Sequence, residues 1–120
     1  METVNPIIKI ENLVRTYSSG KVQTFAVRGV SFNLYPGEFT ALSGPSGSGK
    51  TTVLNQIGLL DNPTSGKVII DGKEIGQMSE DEKSLFRLKR LGFVFQRYEL
   101  LPELTALENV YLSLMPNPYF

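Results

Sequence analysis

The sequence contains no cysteine and no histidine. Without cysteine, disulfides and thiolate chemistry are excluded, which is compatible with a reducing cytoplasm. Without histidine, the chain lacks the side chain that most readily moves protons near neutral pH and that most often ligates metal ions. Imidazole catalysis and metal ligation by histidine are therefore both excluded.

The sequence also has no net charge and no long apolar run. Twelve basic and twelve acidic residues cancel, so no global field draws the chain toward nucleic acid or an anionic membrane. No apolar run approaches the ~20 residues that cross a bilayer, and the start, "METVNPIIKIEN", does not resemble a secretory signal. We expect one soluble globular domain of 120 residues in which any phosphate site is local.

Alternating apolar residues predict strands. The segment 7–14 predicts one strand that ends before Tyr17 and the turn-forming "SSGK", and "VSFNL" predicts the end of a second. A third, "EFTALS", is expected to run directly into a glycine-rich loop. Farther on, "GKVIIDGKEI" predicts a hairpin that turns at Asp71-Gly72, and "GFVFQ" predicts another short buried strand.

Helical spacing predicts three helices. The first spans residues 49–60 and places four apolar residues on one face, namely Val53, Leu54, Ile57 and Leu60. Two capping boxes, Ser79 with Glu82 and Thr105 with Glu108, are expected to begin the others. The last helix has a comparable apolar face of Leu107, Val110, Tyr111 and Leu114. The pattern predicts an α/β fold with α+β elements around one core.

The stretch "GPSGSGKTT" at residues 44–52 fits the P-loop pattern, in which Gly44 is separated by four residues from Gly49-Lys50-Thr51. Glycines let backbone amides approach phosphate oxygens without a Cβ in the way, and the following helix adds its positive end. We expect Lys50 to reach the β and γ phosphates and the Thr51 hydroxyl to ligate Mg²⁺. The candidate nucleotide-binding residues of the loop are Gly44, Ser46, Gly47, Ser48, Gly49, Lys50, Thr51 and Thr52.

A flexible loop that merely carries a lysine is the alternative interpretation of this stretch. The complete pattern, with a predicted strand before it and a predicted helix after it, favours nucleotide binding. The motif leaves open which nucleotide is bound and for what chemistry.

From Ile7 to about Leu114 the sequence resembles the ATP-binding domain of ABC transporters, particularly the subgroup that powers lipoprotein release and macrolide export. Two stretches carry the resemblance, "AVRGVSFNLYPGEFTALSGPSGSGKTTVLNQIGLLDNPTSGKVIIDG" and "GFVFQRYELLPELTALENV". The resemblance implies that Tyr17 stacks on adenine and that Gln96 approaches Mg²⁺ and the attacking water. Without it, packing and surface exposure would be the default interpretations of these two side chains.

The resemblance implies an incomplete P-loop NTPase fold, with an N-terminal antiparallel β subdomain and a strand, loop and helix around the P-loop. Residues 1–120 would then form the N-terminal part of one ATP-binding domain, divided into a β-rich segment at about 1–43, the P-loop and its helix at 44–60, and a remainder at 61–120. Its implied cofactors are ATP and Mg²⁺, with Thr51 and Gln96 at the metal and with Lys50 and Gln96 contributing to catalysis.

The resemblance also implies partners and a location. A second ATP-binding domain would complete the ATP sandwich, and a transmembrane permease subunit would be contacted by "RYELL", which begins at Arg97 and ends at Leu101. No nucleic acid is implied. The protein would be cytoplasmic and peripheral at the inner face of the cell membrane, through the permease.

Two other functions are weighed against this one. The loop also resembles that of guanylate kinases, which transfer phosphate to a second nucleotide and would use arginines such as Arg87, Arg90 and Arg97. A solvated helix face is the alternative role for Arg87 and Arg90. A nucleotide-binding fragment without hydrolysis is the third candidate.

Several parts of the family's ATP site are not found before Phe120, namely a Leu-Ser-Gly-Gly-Gln loop, an apolar strand ending in Asp-Glu, a dimer-contact loop and a histidine. The segment "VIID" is not expected to replace the acidic strand, because Gly72 and Lys73 follow Asp71. We expect this chain to be inactive alone and prone to aggregation through uncovered apolar edges. Its tail after Leu114, "MPNPYF", departs from the family, and its prolines are expected to end the last helix.

Overall fold

A computed structural model describes residues 3–114, and the prediction about the tail "MPNPYF" lies outside them. The chain divides into two compact units, the first ending at Met78 and the second beginning at Ser79. The first unit contains β1 (Ile8–Ser19), β2 (Val22–Leu34), α1 (Lys50–Ile57), β3 (Ser65–Ile70), β4 (Lys73–Glu74) and a 3-10 turn (Ile75–Gln77). The second contains α2 (Glu80–Arg90) and α3 (Ala106–Leu112).

The first unit is organised by an antiparallel sheet with the strand order β2-β1-β3-β4. Strand β1 is longer than predicted and continues through Tyr17, which pairs with Thr24 of β2. The expectation that the strand ends before Tyr17 is therefore wrong. The turn-forming residues are fewer than the sequence suggested, because "SS" still has ladder partners in β2 and only Gly20, with φ of 61°, and Lys21 lie between the strands.

A bulge in β1 brings two core residues to the same face. Ile10 and Leu13 are both buried, although residues three apart on a regular strand point to opposite faces. Between them the register shifts, Asn12 has φ of 48°, and the Asn12 amide donates to Ser31 Oγ at 2.8 Å. Gly66 of β3 lies against the Asn12 carbonyl, because a Cβ built on Gly66 would be 2.2 Å from that oxygen. The extra residue thus directs both apolar side chains into the core.

The predicted hairpin at "GKVIIDGKEI" is confirmed. Strands β3 and β4 pair through Ile69 with Glu74 and Ile70 with Lys73. The two turn residues, Asp71 and Gly72, both have positive φ, 51° and 79°. This is the backbone that a two-residue hairpin turn requires and that an Asp-Gly pair favours.

Two predicted strands are not formed. Residues 38–43 ("EFTALS") and 92–96 ("GFVFQ") have no strand pairing, and Phe39 and Val94 are fully exposed. A strand is held by backbone hydrogen bonds to a neighbour, and no part of residues 3–114 pairs with either segment. Both strand predictions are therefore wrong, and so is the burial predicted for "GFVFQ".

Helix α1 is shorter than predicted. It begins at Lys50 and ends at Ile57 instead of Leu60, and Leu59 with φ of 57° reverses the chain after it. Val53 and Gln56 are the buried side chains of this helix, whereas Leu54 is exposed. The predicted apolar face is therefore only partly correct, and an amide side chain, Gln56, occupies part of the buried surface.

Both predicted helices of the second unit begin where their caps were expected. Ser79 and Glu82 form a complete capping box at α2, in which the Ser79 amide donates to the Glu82 carboxylate at 2.8 Å. Thr105 accepts from the Glu108 amide at 3.1 Å at the start of α3. The apolar face predicted for α3 is exposed on all four members, Leu107, Val110, Tyr111 and Leu114. In the part of the chain that is described, no helix is long and apolar enough to cross a membrane.

Candidate nucleotide-binding site

The glycine-rich loop enters α1 through a backbone that only glycine tolerates. Gly49 is the N-cap residue of α1 and adopts a left-handed conformation with φ of 95° and ψ of 8°. A Cβ at this position would lie 2.4 Å from the carbonyl oxygen of Ala26 in β2, so the loop rests directly on the sheet. A side chain here would require both strained torsions and a displaced strand.

The start of α1 presents unused backbone donors. Within residues 3–114, the amides of Gly49, Lys50, Thr51 and Thr52 donate to no protein acceptor, and Gly49 provides no side-chain cap. The first turn also contains no acidic residue that would oppose an incoming anion. Donors that converge at the positive end of a helix are suited to phosphate oxygens.

Lys50 lies over the loop itself. Its Nζ donates to the carbonyl oxygens of Gly44 and Pro45, the latter at 3.1 Å. These two contacts fold the Lys50 side chain back onto the first residues of the glycine-rich loop. The ammonium charge therefore lies at the same loop whose end provides the unused amides of α1.

The donors for a magnesium ion are few. The Thr51 hydroxyl lies on an exposed residue at the start of α1 and has no hydrogen-bond partner among residues 3–114. No group of three or more acidic side chains that could hold a metal ion occurs in this described part either. Since Mg²⁺ in such sites is held by one or two protein ligands together with phosphate oxygens, these residues fit a metal that arrives with a nucleotide.

Tyr17 lies in a polar cluster between β1 and the loop that follows α1. Its hydroxyl donates to Asp61 Oδ2 at 2.8 Å, and Arg15 Nε donates to the same oxygen at 2.8 Å. The Arg15 guanidinium carbon lies 4.3 Å from the centroid of the Tyr17 ring. One face of the ring is therefore covered by a cation, while the residue as a whole is 43% exposed.

The contacts within this cluster stabilise the charged forms of both Asp61 and Arg15. Partial burial alone would raise the pKa of Asp61, but hydrogen bonds from Tyr17, from the Asn62 amide and from Arg15 outweigh it, so that pKa is lowered from 3.8. Burial would likewise lower the pKa of Arg15, and the bonds to Asp61 and Tyr17 raise it instead. Asp61 is thus held as a carboxylate that accepts from both neighbours.

The same loop is tied to the end of α1 and to β1. Gln56 is fully buried, and its Nε2 donates to the Asn62 carbonyl at 3.0 Å, while its Oε1 has no partner in the described part of the chain. On the other side, the Thr64 amide donates to the Val14 carbonyl at 2.9 Å. The Thr64 hydroxyl accepts from the Thr16 amide at 2.9 Å. The loop therefore joins the helix that follows the P-loop to the strand that carries Tyr17.

Gln96 and the segment "RYELL" lie in the second unit. Gln96 is exposed, at a bend that follows an irregular segment. Tyr98 is 91% exposed, and Glu99 has φ of 51°. Asn109 of α3 holds the end of the segment, because its Oδ1 accepts from the Leu101 amide at 2.9 Å and its Nδ2 donates to the Leu101 carbonyl at 3.2 Å.

The predicted site residues are distributed over both units. The P-loop residues and Tyr17 belong to the first unit, and Gln96 belongs to the second. Sequence reasoning missed Arg15 and Asp61. The contact between Arg15 and Tyr17 could have been predicted, because residues two apart on a strand share a face. Asp61 lies 44 residues from Tyr17, and no local sequence pattern predicts that contact.

Comparison with known proteins gives a consistent result. The family model described as "ABC transporter" matches residues 27–118. The lipoprotein-releasing system ATP-binding protein LolD of Coxiella burnetii is 46% identical over 110 residues, which are 92% of this chain and 47% of LolD. The macrolide export ATP-binding/permease protein MacB of Syntrophobacter fumaroxidans is 42% identical over 108 residues, 90% of this chain and 15% of MacB.

A solved structure agrees. The dimeric ABC transporter cassette MJ0796, a protein of Methanocaldococcus jannaschii, superposes with a TM-score of 0.85 at 46% identity in its post-hydrolysis state bound to ADP and Pi, covering 90% of this chain and 47% of that one. The expected fold class, α/β with α+β elements in a partial P-loop NTPase fold, is confirmed. The chain spans about half the length of LolD and MJ0796. The comparisons give the kinase alternative no support.

Proposed function

Because this chain belongs to the ABC transporter family, we propose that it binds Mg-ATP as part of an ATPase subunit that powers transport through a membrane partner. The observation that carries the proposal is the entry into α1. A left-handed Gly49 rests on the Ala26 carbonyl, unused amides begin the helix, and Lys50 lies over the loop. These are the features that a triphosphate needs from a P-loop.

Each candidate residue receives a role in this proposal. The amides of the loop and of the first turn of α1 bind phosphate oxygens, and Lys50 supplies a charge for the β and γ phosphates. Thr51 would hold Mg²⁺, which neutralises charge on the phosphates when it is bound. Tyr17 would stack on adenine through the ring face that Arg15 does not cover. Gln96 would approach the metal and the attacking water.

The proposed partners are based on the known relatives and on the exposed segment "RYELL". The solved relative MJ0796 is dimeric, and MacB is described as an ATP-binding/permease protein, so we propose a second ATP-binding domain and a membrane permease as partners. The exposed segment "RYELL", with Tyr98 almost fully accessible, is the proposed permease contact. A location at the inner face of the cell membrane is part of the same proposal.

The test is a calorimetric titration of Mg-ATP and Mg-GTP into the full chain, with phosphate release followed in the same samples. We expect binding of Mg-ATP without steady release, because Lys50 and the loop can bind the phosphates while no acidic side chain of residues 3–114 is identified as a general base. Lys50→Ala should abolish binding, since the γ phosphate charge is left uncompensated. Lys21→Ala, which removes an exposed lysine in the β1–β2 turn, is the matched control and should bind as the parent does.

Two outcomes would overturn this proposal. Equal affinity of the Lys50→Ala variant and the parent would remove the P-loop assignment. Steady phosphate release that GMP accelerates would replace the transporter function with the kinase alternative.

A further inference from the structure

The polar cluster of Arg15, Tyr17 and Asp61 determines the orientation of the Tyr17 ring. The orientation of the Tyr17 ring is defined by its hydroxyl, which donates to Asp61 Oδ2, and by the Arg15 guanidinium over one face. Asp61 accepts from Arg15 with the same oxygen. One carboxylate therefore fixes both the ring and the cation that covers it.

Asp61 is in turn fixed by the backbone of its own loop. Its Oδ1 accepts from the Asn62 amide at 2.8 Å. The Asn62 carbonyl accepts from the buried Gln56 of α1, and Thr64 anchors the other end of the loop to Val14 and Thr16 of β1. A continuous chain of hydrogen bonds thus runs from the helix that begins at the P-loop to the ring of Tyr17.

We propose that Asp61 and Arg15 are positioning residues for the nucleotide base: they hold the Tyr17 ring in a fixed orientation, with one face covered by Arg15 and the other presented to adenine. This inference rests on the proposed function. It adds that recognition of the base depends on a carboxylate that does not touch the nucleotide. The hydrogen-bonded loop fixes the orientation of the ring relative to α1, whose first turn would bind the phosphates. The base and the phosphates of ATP would therefore be bound by connected parts of one unit.

The proposal predicts different effects on the affinity for Mg-ATP and on the affinity for magnesium tripolyphosphate, whereas a general loss of structure would lower both. Inorganic tripolyphosphate with Mg²⁺ contacts only the P-loop, whereas Mg-ATP uses the loop and the base platform. A variant that disturbs the orientation of Tyr17 should weaken Mg-ATP and leave tripolyphosphate unchanged. A variant that unfolds the first unit should weaken both.

The experiment is a titration of Mg-ATP and of magnesium tripolyphosphate into the full chain and five variants, namely Tyr17→Ala, Tyr17→Phe, Asp61→Asn, Arg15→Ala and Glu11→Gln. Tyr17→Ala sets the largest base-dependent loss, about 5- to 100-fold for Mg-ATP. Tyr17→Phe keeps the ring and removes only the hydroxyl, and Asp61→Asn keeps the size of the side chain and removes the charge. Each of these two should weaken Mg-ATP about three- to tenfold, because each removes a hydrogen bond that orients the ring.

Glu11→Gln is the matched control. Glu11 lies in β1, the strand that carries Tyr17, and like Asp61 it forms a 2.8 Å ion pair, but its partner is Lys9 and the pair is not part of the Tyr17 cluster. The same carboxylate-to-amide change should leave both affinities at the parental values. A loss of Mg-ATP affinity in this variant equal to that of Asp61→Asn would overturn the proposal, since the loss of any ion-paired carboxylate in the first unit would then suffice.

The remaining outcomes distinguish the two proposals. If the parent binds both ligands and Tyr17→Phe and Asp61→Asn keep parental Mg-ATP affinity, the positioning role is wrong and the ATP-binding function stands. If Arg15→Ala binds Mg-ATP more tightly than the parent, Arg15 occupies the face that adenine uses, and the proposal is wrong in the same way. If the parent binds neither ligand, the proposed function fails and this inference fails with it.

Discussion

Two regions of this chain have similar apolar sequences and different structures. In the sheet of the first unit, Leu13 and Val68 are completely buried. In the segments 38–43 and 92–96, Phe39 and Val94 are completely exposed. All four residues lie in short apolar stretches that predict strands, but only the sheet residues have backbone neighbours to pair with. Apolar patterning therefore predicts a strand, whereas burial depends on a partner strand elsewhere in the fold.

The largest difference in stability between the two regions is expected when a glycine in each is replaced by alanine. Gly66→Ala should lower the free energy of unfolding by at least about 2 kcal/mol, because Gly66 has φ of 80° and its Cβ would lie 2.2 Å from the Asn12 carbonyl. Gly92→Ala, in the unpaired segment, meets no atom within 4 Å and should leave stability unchanged or slightly raised. Urea denaturation followed by circular dichroism measures both.

Equal losses at Gly66 and Gly92 would mean that the unpaired segment is as tightly held as the sheet. A parental stability for Gly66→Ala would show that β1 and β3 do not approach closely at the bulge. Either result would break the contrast between the two regions.

A smaller effect is expected from a matched pair of valines. Val68→Ala removes two buried methyl groups from the sheet and should destabilise the protein by about 2 kcal/mol. Val94→Ala makes the identical change on an exposed residue and should stay within about 0.5 kcal/mol of the parent. Thermal and urea melts of the two variants under one condition give the comparison directly. A cost at Val94 that matches that at Val68 would show that the segment is buried in solution.

The smallest effect concerns acid. The pKa of Asp61 is lowered from 3.8, so its carboxylate stabilises the folded first unit at pH values above 3.8, and this contribution is lost as the pH falls through the lowered pKa. Asp61→Asn should be less stable than the parent near neutral pH, and the difference should shrink in acid. Urea melts from pH 7 down to the acid limit of solubility measure it, and a difference that is independent of pH would contradict the charged cluster.

The sequence predicted those parts of the fold that are encoded locally. The P-loop, the Asp71-Gly72 hairpin and the Ser79 cap each depend on a few adjacent residues whose backbone preferences leave little choice. The strands at 38–43 and 92–96 were predicted wrongly because their pairing depends on residues distant in the chain. Asp61 was missed for the same reason, since its contact with Tyr17 spans 44 residues and no spacing rule connects a loop carboxylate with a strand aromatic.

The extended β1 and the hydrogen-bonded loop that follows α1 have a joint consequence for Tyr17. The residue was expected beyond the end of a strand, where its backbone would be free to move, but it is paired with Thr24 on one side, and its neighbour Thr16 is bonded to Thr64. The backbone of Tyr17 is therefore already ordered when the protein folds, and its ring is held by the hydrogen bond to Asp61 and the contact with Arg15. A flat ligand that stacks on it has little further conformational entropy to remove, so more of the contact energy is retained as affinity.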